Sequence, residues 1–158
     1  MLTDLGVGTT VPDFTLKDTE RNERQLSEFR GKNIVLIFFP GAFTGVCHKE
    51  ICTLRDMEQI SNLGGQVIAI SVDSPFANKA FADQNNITFP VLSDYNRDVI
   101  RIYGIELNDF AGMTGYTAAK RSVFITDKDY IIRYRWVSDD PGVEPPYNEL
   151  EEALSKLQ

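Results

Sequence analysis

The sequence is short of the residues that most often settle a chemistry by count alone: its 158 positions hold two cysteines, one histidine and one tryptophan. Two cysteines cannot build the multi-bridge framework of a small secreted domain, and in a reducing compartment a cysteine pair more often serves catalysis, redox sensing or metal binding. Positive charge is scarce as well: 16 Lys and Arg face 23 Asp and Glu, a net charge of -7. Such a surface repels polyanions, so neither nucleic acid nor an anionic membrane is an expected partner. No apolar run is long enough to cross a bilayer, and Met1 to Thr10 lacks the basic-then-apolar order of a secretory leader. A cytoplasmic protein is expected. Internal repeats, low-complexity tracts and linker-like composition shifts are also missing. With 42% apolar residues the chain can bury a core without staples, and one domain over 1–158 is expected.

What is present is an alternation of β-rich runs and amphipathic segments. Ile34-Val35-Leu36-Ile37-Phe38-Phe39 is short, apolar and stopped by Pro40-Gly41, the pattern of a strand buried on both faces. Val67 to Val72 is a second such run. Ser74 as N-cap and Pro75 as first helical residue then open a helix with Ala77, Ala80 and Phe81 on one face. Between the two runs, Cys47, Ile51, Leu54, Met57 and Ile60 recur at intervals of three and four, predicting a helix from Gly45 to about Leu63 that closes at Gly64-Gly65. A strand, a helix and a strand in that order predict a parallel crossover unit. Further along, Phe89 to Leu92 precedes a helix around Asn96 to Tyr103 and a loop with Gly112 and Gly115. Ser122–Thr126 and Tyr130–Val137, joined by Asp-Lys-Asp, predict an antiparallel hairpin. A last helix from about Tyr147 aligns Leu150, Leu154 and Leu157. The fold class expected is α/β, a mixed sheet with helices on both faces.

Cys47 lies in the first turn of a helix that directly follows a buried strand. Unpaired N–H groups and the helix dipole favour a thiolate there, and the thiolate is the nucleophilic form. Thr44 can aim a hydroxyl at the same spot, and Pro40 and Phe43 can wall it from water. Taken alone, a helical cysteine on an apolar stripe is equally well a small buried hydrophobe.

The spacing Pro-x3-Thr-x2-Cys, here Pro40, Thr44 and Cys47, within Phe-Phe-Pro-Gly-Ala-Phe-Thr-Gly-Val-Cys, resembles the active-site loop of the peroxiredoxins. The resemblance extends in order through Val11 to Leu16, Val67 to Ser74, Ser93-Asp94-Tyr95 and Lys120 to Ile125, and so spans essentially the whole chain. It implies a thioredoxin-like fold and a thiol-dependent peroxidase acting on hydrogen peroxide and organic hydroperoxides, with no metal or organic cofactor. It implies roles residue by residue. Cys47 corresponds to the cysteine that attacks the O–O bond and becomes a sulfenic acid. Thr44 corresponds to the hydroxyl that positions the peroxide, Pro40 to the shield of the site, and Arg121 to the arginine that stabilises the thiolate and polarises the peroxide. Glu50 corresponds to an acidic position that holds the arginine. By itself Arg121, beside Lys120 at a strand start, is indistinguishable from a solvated charge. The resemblance also implies a thioredoxin-like or other thiol reductant; monomer and homodimer are both compatible with the sequence.

Cys52 is about 140° around an ideal helix from Cys47, off the apolar stripe, which disfavours a core role. The Cys-x4-Cys spacing resembles the bacterioferritin comigratory protein (peroxiredoxin Q) branch and implies that Cys52 resolves the sulfenic acid as an intramolecular disulfide. The loop wording resembles one-cysteine and atypical branches too. Two rivals stand beside this reading. A zinc site on Cys47, His48 and Cys52 falls short of four ligands and has His48 turned about 100° from Cys47; the same geometry disfavours His48 as a general base and points to an exposed histidine. A disulfide oxidoreductase calls for Cys-x2-Cys, which the chain lacks.

Overall fold

The fold is organised by one central strand. In the computed structural model, which describes residues 5–57, 60 and 62–158, β3 (Asn33–Phe38) is buried along its whole length. Its side chains alternate between two cores: Ile34, Leu36 and Phe38 enter one, and Val35 and Ile37, followed by Phe39, enter the other. Each such residue removed from water contributes roughly 1.5–3 kcal/mol, so this run anchors both faces of the sheet at once.

Around β3 the strands β1 (Thr15–Lys17), β2 (Glu23–Gln25), β4 (Gly65–Ser71), β5 (Val91–Ser93), β8 (Ser122–Thr126) and β9 (Ile132–Val137) complete a seven-stranded sheet in the order β2-β1-β5-β4-β3-β8-β9. β3 and β4 pair in parallel from Asn33↔Gly65 to Phe38↔Ile70. The segment between them contains α1 (Gly45–Asp56), the crossover expected from the apolar spacing. β4 and β5 are also parallel and flank α2 (Pro75–Gln84). β8 runs antiparallel to both β3 and β9, and β1 antiparallel to both β2 and β5, so the sheet is mixed. Buried residues of α1, α2 and α4 (Tyr147–Ser155) fill one core, while Val99 and Ile100 of α3 (Asp98–Ile102) fill the other, which places helices on both faces as expected. No helix among the described residues is long and apolar enough to cross a membrane.

Several details depart from the sequence reading. α1 ends at Asp56 with Met57 as its C-cap, short of Leu63, and Glu58, Gln59 and Ser61 of the expected helix lie outside the described residues. Ser74 caps α2 as expected, its hydroxyl accepting from the Ala77 N–H at 3.2 Å. The buried face of α2, however, is Asn78, Phe81 and Ala82, and Ala80 faces solvent. Asn78 is drawn inward because its amide donates to the Leu92 carbonyl and its oxygen accepts from Ser71 Oγ, contacts made by neighbouring strands. β9 starts at Ile132 rather than Tyr130, since Tyr130, at φ 63, belongs to the turn. β1, β2 and the small ladder of β6 (Glu106–Leu107) with β7 (Ala118–Ala119) were not foreseen; each is two or three residues long, too short to show a period.

Candidate active site

Two neighbouring strand ends build the site. Phe38 pairs with Ser122, so the loop leaving β3 and the residue entering β8 sit side by side. The first carries Pro40 and leads into α1; the second is Arg121. Thr44 is the N-cap of α1, which puts Cys47 at the third helical position, where an α-helix leaves its backbone N–H groups without intrahelical partners.

Cys47 and Arg121 are each about 1% exposed, and Glu50, one turn after Cys47, is 0% exposed. The guanidinium forks between them: Nη2 donates to Cys47 Sγ at 3.0 Å and Nη1 donates to Glu50 Oε1 at 2.7 Å. Nη2 and Nε also donate to the Pro141 carbonyl, at 2.7 and 3.2 Å. A planar fork can serve sulfur, carboxylate and carbonyl together, which a lysine ammonium cannot match. Burial pulls the Arg121 guanidinium down, yet the charges and hydrogen bonds of Glu50 and Cys47 outweigh it and hold the group above its ordinary range. Burial pushes the Glu50 carboxyl up to about 7 against the pull of Arg121, with Glu144 adding to the push. Its second oxygen, Oε2, is buried without a hydrogen-bond partner. Glu144 accepts from the Tyr147 hydroxyl at 2.7 Å and pairs with Lys49 at 3.2 Å, which ties the segment carrying Pro141 back onto α1.

The loop from Pro40 to Thr44 is itself pinned. The Ala42 N–H donates to Asp73 Oδ2 at 2.7 Å, and Phe43 takes a left-handed backbone at φ 64. That conformation is uncommon for a bulky residue and is held here by its surroundings. Pro40 is buried, in keeping with a shield, but Phe43 is 52% exposed and packs its ring against the edge of Phe81 instead of walling off Cys47. The Thr44 hydroxyl donates to the Gly41 carbonyl at 2.8 Å rather than pointing at the sulfur. Its proton is thereby committed to the loop, and the oxygen is left as an acceptor.

Cys52 is half-buried on the other side of α1, off the apolar stripe as the helix geometry requires. Its Sγ lies 3.8 Å from His48 Nε2 and 3.7 Å from Asn85 Oδ1. The structure therefore brings together Cys47, Arg121, Glu50 and the Pro40–Thr44 loop, and sets Cys52 with His48 apart from them. Among the described residues no three His, Cys, Asp or Glu side chains are gathered as a metal-binding set. Sequence reasoning missed Asp73, Asn85, the His48–Cys52 contact and the Pro141 carbonyl. The i, i+4 spacing of His48 and Cys52 could have shown that contact; a backbone carbonyl carries no sequence signal.

A mixed sheet with a buried cysteine at a helix N-terminus, paired to a buried arginine, defines a thioredoxin-like thiol enzyme. The AhpC/TSA family model matches residues 7–135. Alkyl hydroperoxide reductase E of Mycobacterium tuberculosis is 42% identical over 82% of this chain and 84% of its own length. The chloroplastic peroxiredoxin Q of Sedum lineare is 33% identical over 96% of this chain and 77% of its own length. The peroxidoxin BcpB of Mycobacterium tuberculosis superposes with a TM-score of 0.85 at 27% identity, covering 98% of this chain and 99% of the other. The chain belongs to the AhpC/TSA family and is a thiol-dependent peroxidase of the peroxiredoxin type.

Proposed function

We propose that Cys47 is the nucleophile that reduces hydrogen peroxide and organic hydroperoxides, and that Arg121, Thr44 and Pro40 form its immediate machinery. The observation that carries this reading is the 3.0 Å contact from Arg121 Nη2 to Cys47 Sγ, both groups buried at the start of α1. A cation donating to sulfur is the partner that a thiolate takes. The thiolate attacks one peroxide oxygen, the O–O bond breaks, and Cys47 is left as a sulfenic acid while the other oxygen leaves as hydroxide or alkoxide and takes up from solvent the proton that the thiol had released. The guanidinium spreads positive charge over sulfur and oxygen as negative charge moves along that bond, with the Cys47 backbone N–H as a further donor. The Thr44 oxygen, its own proton spent on Gly41, accepts the peroxide O–H and orients it. Glu50 and the Pro141 carbonyl hold the arginine in place and are positioning groups.

Cys52 resolves the sulfenic acid as a disulfide within the chain. On an ideal helix residues five apart have Cα atoms about 8.7 Å apart, and a disulfide needs roughly 4.4–6.8 Å. α1 therefore opens locally in each cycle. A thioredoxin-like or other thiol reductant returns the enzyme to its dithiol state. The whole chain, 1–158, works as one domain, in the cytoplasm, as a monomer or homodimer, with neither nucleic acid nor membrane as partner. Stopped-flow peroxide consumption by the reduced protein, beside its Cys47→Ser variant, tests the central assignment. Loss of nearly all turnover is expected; retention of most of it means that another group carries the chemistry.

A further inference from the structure

The contact between His48 and Cys52 has no part in the attack on peroxide, since it lies on the face of α1 turned away from Arg121. We propose that His48 is the base of the resolving step: it removes the thiol proton of Cys52 and afterwards gives that proton to the hydroxide that leaves Cys47. This inference rests on the reading of Cys52 as the resolving cysteine and assigns the group that makes it nucleophilic.

The observations are geometric. His48 Nε2 stands 3.8 Å from Cys52 Sγ, within range of a hydrogen bond to sulfur, across one turn of α1. The imidazole meets the edge of the Phe81 ring, centroids 6.2 Å apart at 78°, which restrains its rotation although the residue is exposed. The Cys52 thiol donates to Asn85 Oδ1 at 3.7 Å, and Asn85 is itself fixed by donating from Nδ2 to the Phe81 carbonyl at 2.9 Å. Arg55 Nη1 donates to the Asn85 carbonyl at 2.6 Å, which anchors the same corner. While α1 is still intact the single thiol proton of Cys52 thus has two acceptors in range, Asn85 Oδ1, to which it donates in the resting structure, and His48 Nε2, to which it turns for removal. With its proton on Nδ1, the imidazole offers the Nε2 lone pair to the thiol.

The step balances without an outside reagent. The Cys52 S–H proton passes to Nε2; the resulting thiolate attacks the sulfur of the Cys47 sulfenic acid, the S–S bond forms and the S–O bond breaks. Cys52 sulfur is oxidised and Cys47 sulfur reduced, and the hydroxide takes the proton from the imidazolium and leaves as water. His48 follows Cys47 directly in the chain, so the opening of α1 that brings the two sulfurs together carries the imidazole along with the residue that bears the departing oxygen.

The test is a single-turnover experiment on the reduced full chain with one equivalent of hydrogen peroxide, comparing the native protein, His48→Asn and His48→Lys. Dimedone trapping follows the sulfenic acid, and non-reducing peptide mapping follows the Cys47–Cys52 disulfide. Both variants are expected to slow disulfide formation by about a hundredfold, the low end of general-base effects, and to accumulate trappable sulfenic acid. Asparagine weakens a helix and lysine supports one, so a slowing that follows helix propensity instead of the loss of the base overturns the proposal. An unchanged disulfide rate, or an equal slowing of sulfenic acid formation, overturns it as well. If the native protein forms no Cys47–Cys52 disulfide at all, the reading of Cys52 falls and this inference falls with it; a disulfide that forms as fast without His48 removes only the inference.

Discussion

At the residue scale the site is a problem in buried charge. Arg121 and Glu50 have both left water, and a buried ion pair is stable only while neither partner loses the other. The pair is not balanced, because burial lifts the Glu50 carboxyl to about 7 despite the guanidinium 2.7 Å away. Below about pH 4.5, the ordinary carboxylate value, Glu50 carries its proton in both the folded and the unfolded chain. Between there and about 7 the folded protein keeps a proton that the unfolded chain has released, so raising the pH through this window removes stability. The native protein is expected to lose on the order of 3 kcal/mol relative to Glu50→Gln as the pH goes from 4.5 to above 7. Thermal or urea unfolding of both proteins across that range checks it, and a gap that stays constant with pH means that the carboxyl titrates normally. Cys47, Thr44 and Pro40 were legible as a group because their spacing is a local, contiguous pattern. Arg121 was legible only through the family register, since a strand-start arginine beside a lysine looks the same whether it is buried or solvated.

At the scale of elements, the proposed cycle requires α1 to be firm enough to present Cys47 to Arg121 and loose enough to open for the disulfide. The helix runs for 12 residues, from Gly45 to Asp56. Gly45, the first helical residue, is exposed, and a methyl group added there would meet nothing within 4 Å. Gly45→Ala should therefore fit without strain and raise stability by roughly 0.5–1 kcal/mol through the unfolded state. The same gain makes opening costlier, so disulfide formation after peroxide treatment should slow severalfold while α1 remains intact by circular dichroism. A faster or unchanged disulfide step in this variant would show that the helix does not open from its first turn. The long elements were legible because a period needs length to show. β1, β2, β6 and β7 were not, since two or three residues have no period and owe their conformation to the strand beside them.

At the scale of the whole molecule, the sheet serves as a rigid backing with a core on each face, and the site stands at one end of its central strands. α4 closes one of those cores with Leu150 and Leu154, both fully buried. Leu154→Ala should cost about 2–5 kcal/mol through the lost contacts and the cavity left behind. Peroxide reactivity of the folded fraction should stay near native, because Leu154, although it shares a core with Cys47, packs beside Gly65, at the end of β3 and β4 away from the site. Unfolding curves together with the rate per folded molecule check both halves of that statement, and a rate that falls in step with stability would tie the core directly to the site.

The sequence by itself determined the order of the longer strands and helices, the parallel unit around α1, the hairpin of β8 and β9, the family, and the candidacy of Cys47. Those features rest on hydrophobic periodicity, caps and a contiguous loop motif, all of which are properties of neighbours along the chain. Only the tertiary structure decided that Arg121 reaches Cys47 and Glu50 at once, that the Pro141 carbonyl completes its coordination, that Phe43 faces outward, and that Cys52 contacts both His48 and Asn85. These contacts, apart from the local outward turn of Phe43 and the His48–Cys52 turn, join segments separated by tens of residues. Their existence depends on the pairing of Phe38 with Ser122 and on how α1 and α2 pack, and no local pattern encodes either one.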